Sequence, residues 1–496
     1  MIRIDVLPDD ILLEIFDFCV IVDPASRSKR ATEAWQELVH VCRRWRNLLF
    51  ESPRRLNLRL YCTPTTPARD TLDVWPALPL IINGFNVSRS DTDNVITALG
   101  QNNHVLEVLL KGFSNPEEVL ATMNVPFPNL ADLRLYSYDE TPPVLHDSFL
   151  GGSATRLHSF KLSGISFPGL PGLLLSSTHL VRLYLERISH SGYISPEAMV
   201  ALLSALPSLK IISLGFQSPQ SHPDWGSQRP PPSKRSVLPA LQQIRFRGVT
   251  EYLEELVARI DTPQLDGMLI RFFNQIDFDC PQLAQFINST PTLRAHDEAH
   301  VEFDDSTASV MLRSWTSKTG FYCDLLIHIS CSEPDWQLSC IEQVCNSLRH
   351  LSMVEDLYIE HRYWQLVWKN DAIENDLWLE LLLPFSAVKH LYLAKEFAPG
   401  VATALQQLVG DRITEMLPSL QNIFVQQLET SGPFQENIGQ FLAARQLSDH
   451  PIAISNWENS SDTDEDINVD EGSNVDEDVG VGGASNVDEV SDMESM

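Results

Sequence analysis

Apolar residues recur along most of this chain in one six-residue figure, apolar-x-x-apolar-x-apolar. Ten copies begin at Val105, Leu130, Leu157, Leu180, Leu209, Leu241, Leu265, Val354, Val388 and Leu420. "LADLRL", "LVRLYL", "VEDLYI" and "VKHLYL" are the clearest. Eight of the nine intervals fall between 23 and 34 residues; the ninth, Leu265 to Val354, is 89 residues and has room for two degenerate copies, near Leu293 and in "CDLLIHI". A strand alternates its side chains between two faces, so each copy predicts a short strand with its apolar residues turned to a core. Between copies, "PEEVLATM", "SPEAMVALLSAL", "TEYLEELVARI" and "VATALQQLVG" carry apolar residues at a period near 3.6 and predict returning helices.

A period of this size with L-x-x-L-x-L resembles the leucine-rich repeat. One such unit cannot bury its own apolar face, so the units must stack. The Asn expected at the ninth position is absent: Tyr138, Ile165, Ile188 and Gln217 stand there. The expectation is therefore an irregular α/β solenoid, with an ordinary α/β domain of similar strands as the alternative. The repeat region is placed at 102–449. Before it, 56–101 is a junction or the first solenoid strands, with two strand-like pieces, "LNLRL" and "LPLII". "QSPQSHPDWGSQRPPPSKRS", Gln217 to Ser236, reads as a surface insertion.

Residues 1–55 change period. In "LPDDILLEIFDF", Pro8 suits a first helical turn and Asp9 and Asp10 suit the positive helix end. Ile11, Leu12, Ile15 and Phe16 follow as one apolar face. After the polar interval Asp23 to Thr32, a second helical region starts near Trp35, with Leu38, Val41, Cys42, Trp45, Leu48 and Leu49 at three- and four-residue spacing. A module of about 50 residues cannot bury all of these alone. The surplus face either packs on the first solenoid turn or receives a partner.

The string LP-x-[DE]-x-L-x-x-I-F, then V-C-[RK]-x-W, then a closing turn before a strand resembles the F-box, in particular the F-box-like proteins of fungi; "WQELVHVCRRWRNLLFESPRRLNLRL" carries the second half. The segment between the halves is longer and more charged than the family pattern. The resemblance covers about the first 60 residues and implies docking on the Skp adaptor and, through it, a cullin. The rest of the chain would then present a protein substrate for ubiquitin transfer, or act as an adaptor-bound scaffold that directs no degradation. By residue matching it implies adaptor contacts at Leu7, Pro8, Ile11, Leu12, Ile15, Val41, Cys42 and Trp45, with Phe16 and Leu38 holding the small core.

Charge narrows the partners. The net charge is −30, from 36 Lys+Arg against 66 Asp+Glu. Glu458 to Met496 holds 14 acids and no base; without it 52 acids face 36 bases, a net of −16. An acidic body argues against general nucleic-acid binding. Eight scattered cysteines with no C-x-x-C pair predict reduced thiols in a cytosolic or nuclear protein. No apolar run approaches the ~20 residues of a membrane span.

Catalytic and metal chemistry finds little support, and no enzyme activity or cofactor is expected. Cys42 lies beside Arg43, Arg44 and Arg46, yet it shares the apolar stripe, which predicts burial rather than reactivity. "HDEAH", His296 to His300, has two His at i, i+4, but Asp297 stands where a zinc protease needs Glu, and the chain holds no Gly-Lys pair for a phosphate loop. Two surface histidines are expected there.

The positions between the apolar residues of each strand predict a second, open face. In the first half they include Arg134, Lys161, Arg182, Arg245, Arg247 and Arg271; later copies offer Tyr358, Glu360, His390, Tyr392 and Phe424. An arginine-rich band in an acidic protein suits an acidic or phosphorylated protein segment, with Tyr358 and Tyr392 as aromatic anchors; a plain solvated strand face is the alternative. The remainder, 450–496, repeats Asn-Val-Asp-Glu at Asn468, Asn474 and Asn486, a composition that predicts disorder. Ser461, Thr463, Ser473, Ser485 and Ser491 each precede an acid by three residues, a pattern acidophilic kinases accept. The tail reads as solubilising or, alternatively, as a competitor for the basic band.

Overall fold

The computed structural model describes residues 7–20 and 34–457, except 54–55, 57, 65–67, 76, 140, 169, 220–233, 274–279, 295, 315–323, 362–374, 409, 411 and 429–431. The interval Asp23 to Thr32, most of the Gln217 to Ser236 insertion and residues 458–496 lie outside the described residues.

One long sheet organises the chain. Its strands are β1 (Leu60–Cys62), β2 (Leu80–Val87), β3 (Val105–Phe113), β4 (Asp132–Tyr136), β5 (Ser159–Ser163), β6 (Arg182–Ile188), β7 (Ile211–Phe216), β9 (Gln243–Gly248), β11 (Gly267–Phe272), β12 (Glu298–Phe303), β13 (Thr307–Arg313), β14 (Leu325–Ser330), β15 (Asp356–His361), β16 (His390–Leu393), β17 (Asn422–Gln426) and β18 (Ala453–Trp457). The short strands β8 (Ser236–Val237) and β10 (Ile260–Asp261) pair apart from it. The order across the sheet is β1 to β7, β9, β11, β14, β13, β12, then β15 to β18. Every pairing is parallel except those of β13, which runs antiparallel to both β12 and β14. This is a mixed α/β architecture with a long, mainly parallel sheet.

All ten copies of the apolar figure fall on strands, and none of their thirty apolar side chains is more than 3% exposed. Helices Thr92–Leu99, Thr250–Val257 and Pro334–Ser347 pack on β2, β9 and β13 respectively, covering that face. They also stack on one another, as in the series Pro334–Ser347, Asn375–Leu382, Ala398–Gln406 and Pro433–Leu447. All four returns read from the sequence form helices: Pro116–Thr122, Pro196–Ser204, Thr250–Val257 and Ala398–Gln406. Burying each Leu contributes roughly 1.5–3 kcal/mol, so stability accrues unit by unit.

A recurrent backbone feature ends several strands. Seven positions after the first apolar residue, Gly112, Gly164, Arg187 and Gln427 all have positive φ. This left-handed residue turns the chain out of the strand. At Gly164 a Cβ would come within 2.4 Å of the Ser137 carbonyl oxygen. The last unit is tied down by Arg445, which is fully buried and donates to the carbonyl oxygens of Ile413, Leu417, Pro418 and Leu420 at 3.2–3.5 Å.

Four features differ from the sequence expectation. The 89-residue gap holds three strands, β12 to β14, because "DDST" folds β12 back on β13: Asp304 accepts hydrogen bonds from the backbone N–H groups of Ser306 and Thr307. "LNLRL" supplies only the start of β1. The sheet gains β18 beyond residue 449. The "HDEAH" histidines are buried, His296 at the entry to β12 and His300 within it.

Candidate protein-docking surfaces

The first surface is the N-terminal helical module: α1 (Asp9–Val20), α2 (Ala34–Val39) and α3 (Arg43–Glu51). The second helical region is not continuous, since the chain turns at His40 to Cys42 between α2 and α3. Arg46 Nε donates to the Val39 carbonyl oxygen at 3.1 Å and so closes the end of α2. Arg44 clamps the start of α3 to the start of α1, pairing with Asp9 and donating to the Leu7 carbonyl oxygen. Trp35 donates through its indole N–H to the Arg59 carbonyl oxygen at 3.1 Å, which ties the module to β1.

This packing divides the apolar residues of α1. Leu12, Leu13 and Phe16 point to the core, while Ile11 and Ile15 are 44% and 41% exposed. At 100° per residue Ile11 and Ile15 lie within about 40° of each other, on the flank of the buried arc. Val41, in the turn, is 58% exposed, and Pro8 and Cys42 are exposed beside the clamp. Leu7 and Trp45 are half-buried; the Trp45 ring meets Phe16 edge-on at 4.8 Å.

Two expectations change. Leu12 is fully buried and belongs to the internal core, so it is not a surface contact. Cys42 is exposed, because the helix breaks beside it and removes it from the buried stripe. Phe16 is buried, and Leu38 is half-buried against the core.

The second surface is the sheet face turned away from the helices, where strand register sets three rows. One row runs through Arg134, Lys161, Tyr184, Ser213, Arg245 and Leu269 and continues to His300, Tyr358, Tyr392 and Phe424. A flanking row holds Glu107, Asp132 and Arg182; the opposite one holds Glu186, Arg247 and Arg271.

The basic band is partly neutralised at its first end. Arg134 donates twice to Asp132 on its own strand, at 2.9 and 2.7 Å, and this pairing raises its pKa. Lys161 pairs with Glu186 at 2.9 Å and lies over the rings of Tyr136 and Tyr184. The band changes further along. Arg182 and Arg247 are exposed and Arg245 is half-buried; among the described residues none of these three makes an ion pair. Arg247 lies over the Phe273 ring at 5.7 Å and opposite Arg271 in register. Among the described residues, the arginines left for an anion are therefore those of β6 and β9.

The aromatic half is a ladder, not a row of open anchors. Rings of His300, Tyr358, Tyr392 and Phe424 stack at centroid distances of 4.4, 4.1 and 4.7 Å and within about 11° of parallel. Their faces cover one another, leaving mainly edges to a partner. The Trp457 ring lies against Tyr392 and Tyr358, at 5.6 and 5.9 Å. Burial pushes both tyrosine hydroxyls to raised pKa. Burial disfavours charge on His300, but hydrogen bonds with Glu298 and Glu360 outweigh it and raise the imidazole pKa. Tyr358 and Tyr392 thus pack within the sheet, and the acids beside them do not suit an acidic ligand. His300, Glu298 and Trp457 are elements of this surface that sequence reading missed; in-register strand pairing is the signal that brings them together.

Among the described residues no group of three or more His, Cys, Asp or Glu is placed to hold a metal ion. No helix there is long and apolar enough to cross a membrane. Burial raises the Cys62 thiol to about 11 and the Cys340 thiol to about 12.

No protein-family model matches the chain, and no curated protein matches it. Among solved structures, the chain is similar to a leucine-rich repeat-containing protein of Legionella pneumophila, at 12% identity over 77% of this chain and 97% of that one, with a TM-score of 0.26.

Proposed function

We propose that this protein is a substrate receptor of an SCF-type ubiquitin ligase. The N-terminal helices dock on the Skp adaptor, and the open sheet face captures an acidic protein segment. The observation that carries the reading is the exposure of Ile11, Ile15 and Val41 on a module whose Leu12 and Phe16 are buried behind them. Branched apolar side chains held rigidly at a surface are what a partner groove selects. The contacts are Leu7, Pro8, Ile11, Ile15, Val41, Cys42 and Trp45. The repeat array is read as an irregular leucine-rich solenoid, in which Arg182, Arg245 and Arg247 offer charge-assisted contacts.

The test is a reconstituted ligase with adaptor, cullin, RING subunit and ubiquitin-conjugating enzyme, supplied with proteins that co-purify with the full chain. A receptor yields ubiquitin conjugates on those proteins, and Ile11→Glu/Ile15→Glu abolishes them. Adaptor binding without conjugates supports the scaffold role instead, and absence of adaptor binding rejects both.

A further inference from the structure

The open face ends on a residue that folds back over it. Trp457 belongs to the outermost strand, yet its ring touches Tyr392 and Tyr358, two and three strands inward. The chain therefore leaves β18 with its last described side chain pinned above the open face. Beyond Trp457 the sequence runs on for 39 residues with 14 carboxylates and no Lys or Arg. The same face presents Arg182, Arg245 and Arg247, none of which makes an ion pair among the described residues.

We infer that residues 458–496 dock on the chain's own basic rows at β6 and β9, as a built-in competitor of an acidic partner. This rests on the reading of that face as the capture surface. Three observations support it: the position of the Trp457 ring, the opposite charges, and reach. Eight strand spacings separate β18 from β9, roughly 38 Å at about 4.8 Å each. A chain of that length extends to roughly 130 Å, more than three times the span. The aromatic half cannot be the acidic segment's seat, since Glu298, Glu360 and Asp356 lie there. A tethered segment acts at an effective concentration on the order of 1 mM, so even contacts with a dissociation constant of ~0.1 mM weaken capture about tenfold.

The experiment compares the native full chain with a full chain whose 14 tail carboxylates are changed to amides by Asp→Asn and Glu→Gln substitutions. The probe is a labelled synthetic peptide with the sequence of residues 458–480, with an unrelated polyglutamate peptide beside it. At low salt both peptides are expected to bind the amidated chain about tenfold more tightly than the native chain. The gap should close in high salt, and Arg245→Glu/Arg247→Glu in the amidated chain should remove binding. Equal, measurable affinity for the two chains overturns the docked tail while leaving capture of acidic segments intact. If neither chain binds either peptide, the capture surface itself is rejected, and the docked tail with it.

Discussion

The two halves of the open face share one backbone and use it differently. From β4 to β11 the central row carries Arg134, Lys161 and Arg245, and neighbouring rows supply acids to the first two. From β12 to β17 the same row carries His300, Tyr358, Tyr392 and Phe424, whose rings satisfy one another. Ion pairs that water still reaches, as it does these half-buried ones, contribute little to stability because water competes for both partners. Stacked rings contribute through excluded area and through aromatic geometry. One half therefore leaves arginines uncovered, and in the other the rings cover one another.

The largest break in this comparison should come from acid. His296 and His350, which support the aromatic half, touch at 5.4 Å; both are buried, and burial lowers each pKa to about 4. Asp324 is 4.0 Å from His296, whose two ring nitrogens make no hydrogen bond among the described residues. Unfolded histidines titrate near 6.5, so between pH 6.5 and 4 the unfolded chain binds more protons and stability falls as pH falls. The loss from pH 7 to pH 5 is about 2 kcal/mol per imidazole. His300 works in the opposite sense: its contribution is present below pH 6.5 and fades as pH rises through its raised folded value. His296→Leu/His350→Leu should remove most of the acid loss, as read by urea midpoints at pH 7 and pH 5. An unchanged acid loss would show that these imidazoles are not buried as neutral groups.

A smaller effect separates the halves directly. Tyr358→Ala removes the ring between His300 and Tyr392 and should cost about 2–3 kcal/mol. Lys161→Ala, at the same row position in the basic half, should cost less than ~1 kcal/mol. Urea midpoints at neutral pH check the pair, and equal costs would erase the distinction. The smallest effect belongs to Arg134→Ala, whose carboxylate partner stands on the same strand and organises no second element. A change within about 0.5 kcal/mol is expected in thermal denaturation.

Much of the sheet is legible in the sequence because its determinant is local. The first, fourth and sixth residues of each copy must face one core, and a period-2 and period-3.6 alternation records that demand. The antiparallel strand β13 was not legible as such. "TASVMLR" is buried on both faces, so it lacks the one-sided figure, although "DDST" before it carries the turn chemistry of a hairpin. The left-handed strand ends escape notice because two of the four are Arg187 and Gln427 rather than glycine. In the helical module, period alone groups Leu12 with Ile11 and Ile15. Only the arrangement of three helices decides which flank is buried. The aromatic ladder depends on register between strands that lie far apart in the chain, which no local pattern contains.

The most direct measurement of the central claim is a calorimetric titration of the Skp adaptor into the full chain and into Ile11→Glu/Ile15→Glu, with melting temperatures taken for both. Because these side chains face outward, the account predicts unchanged melting and an affinity at least about 100-fold weaker in the variant. Tight binding that survives both substitutions, or a native chain that does not bind the adaptor, would contradict it.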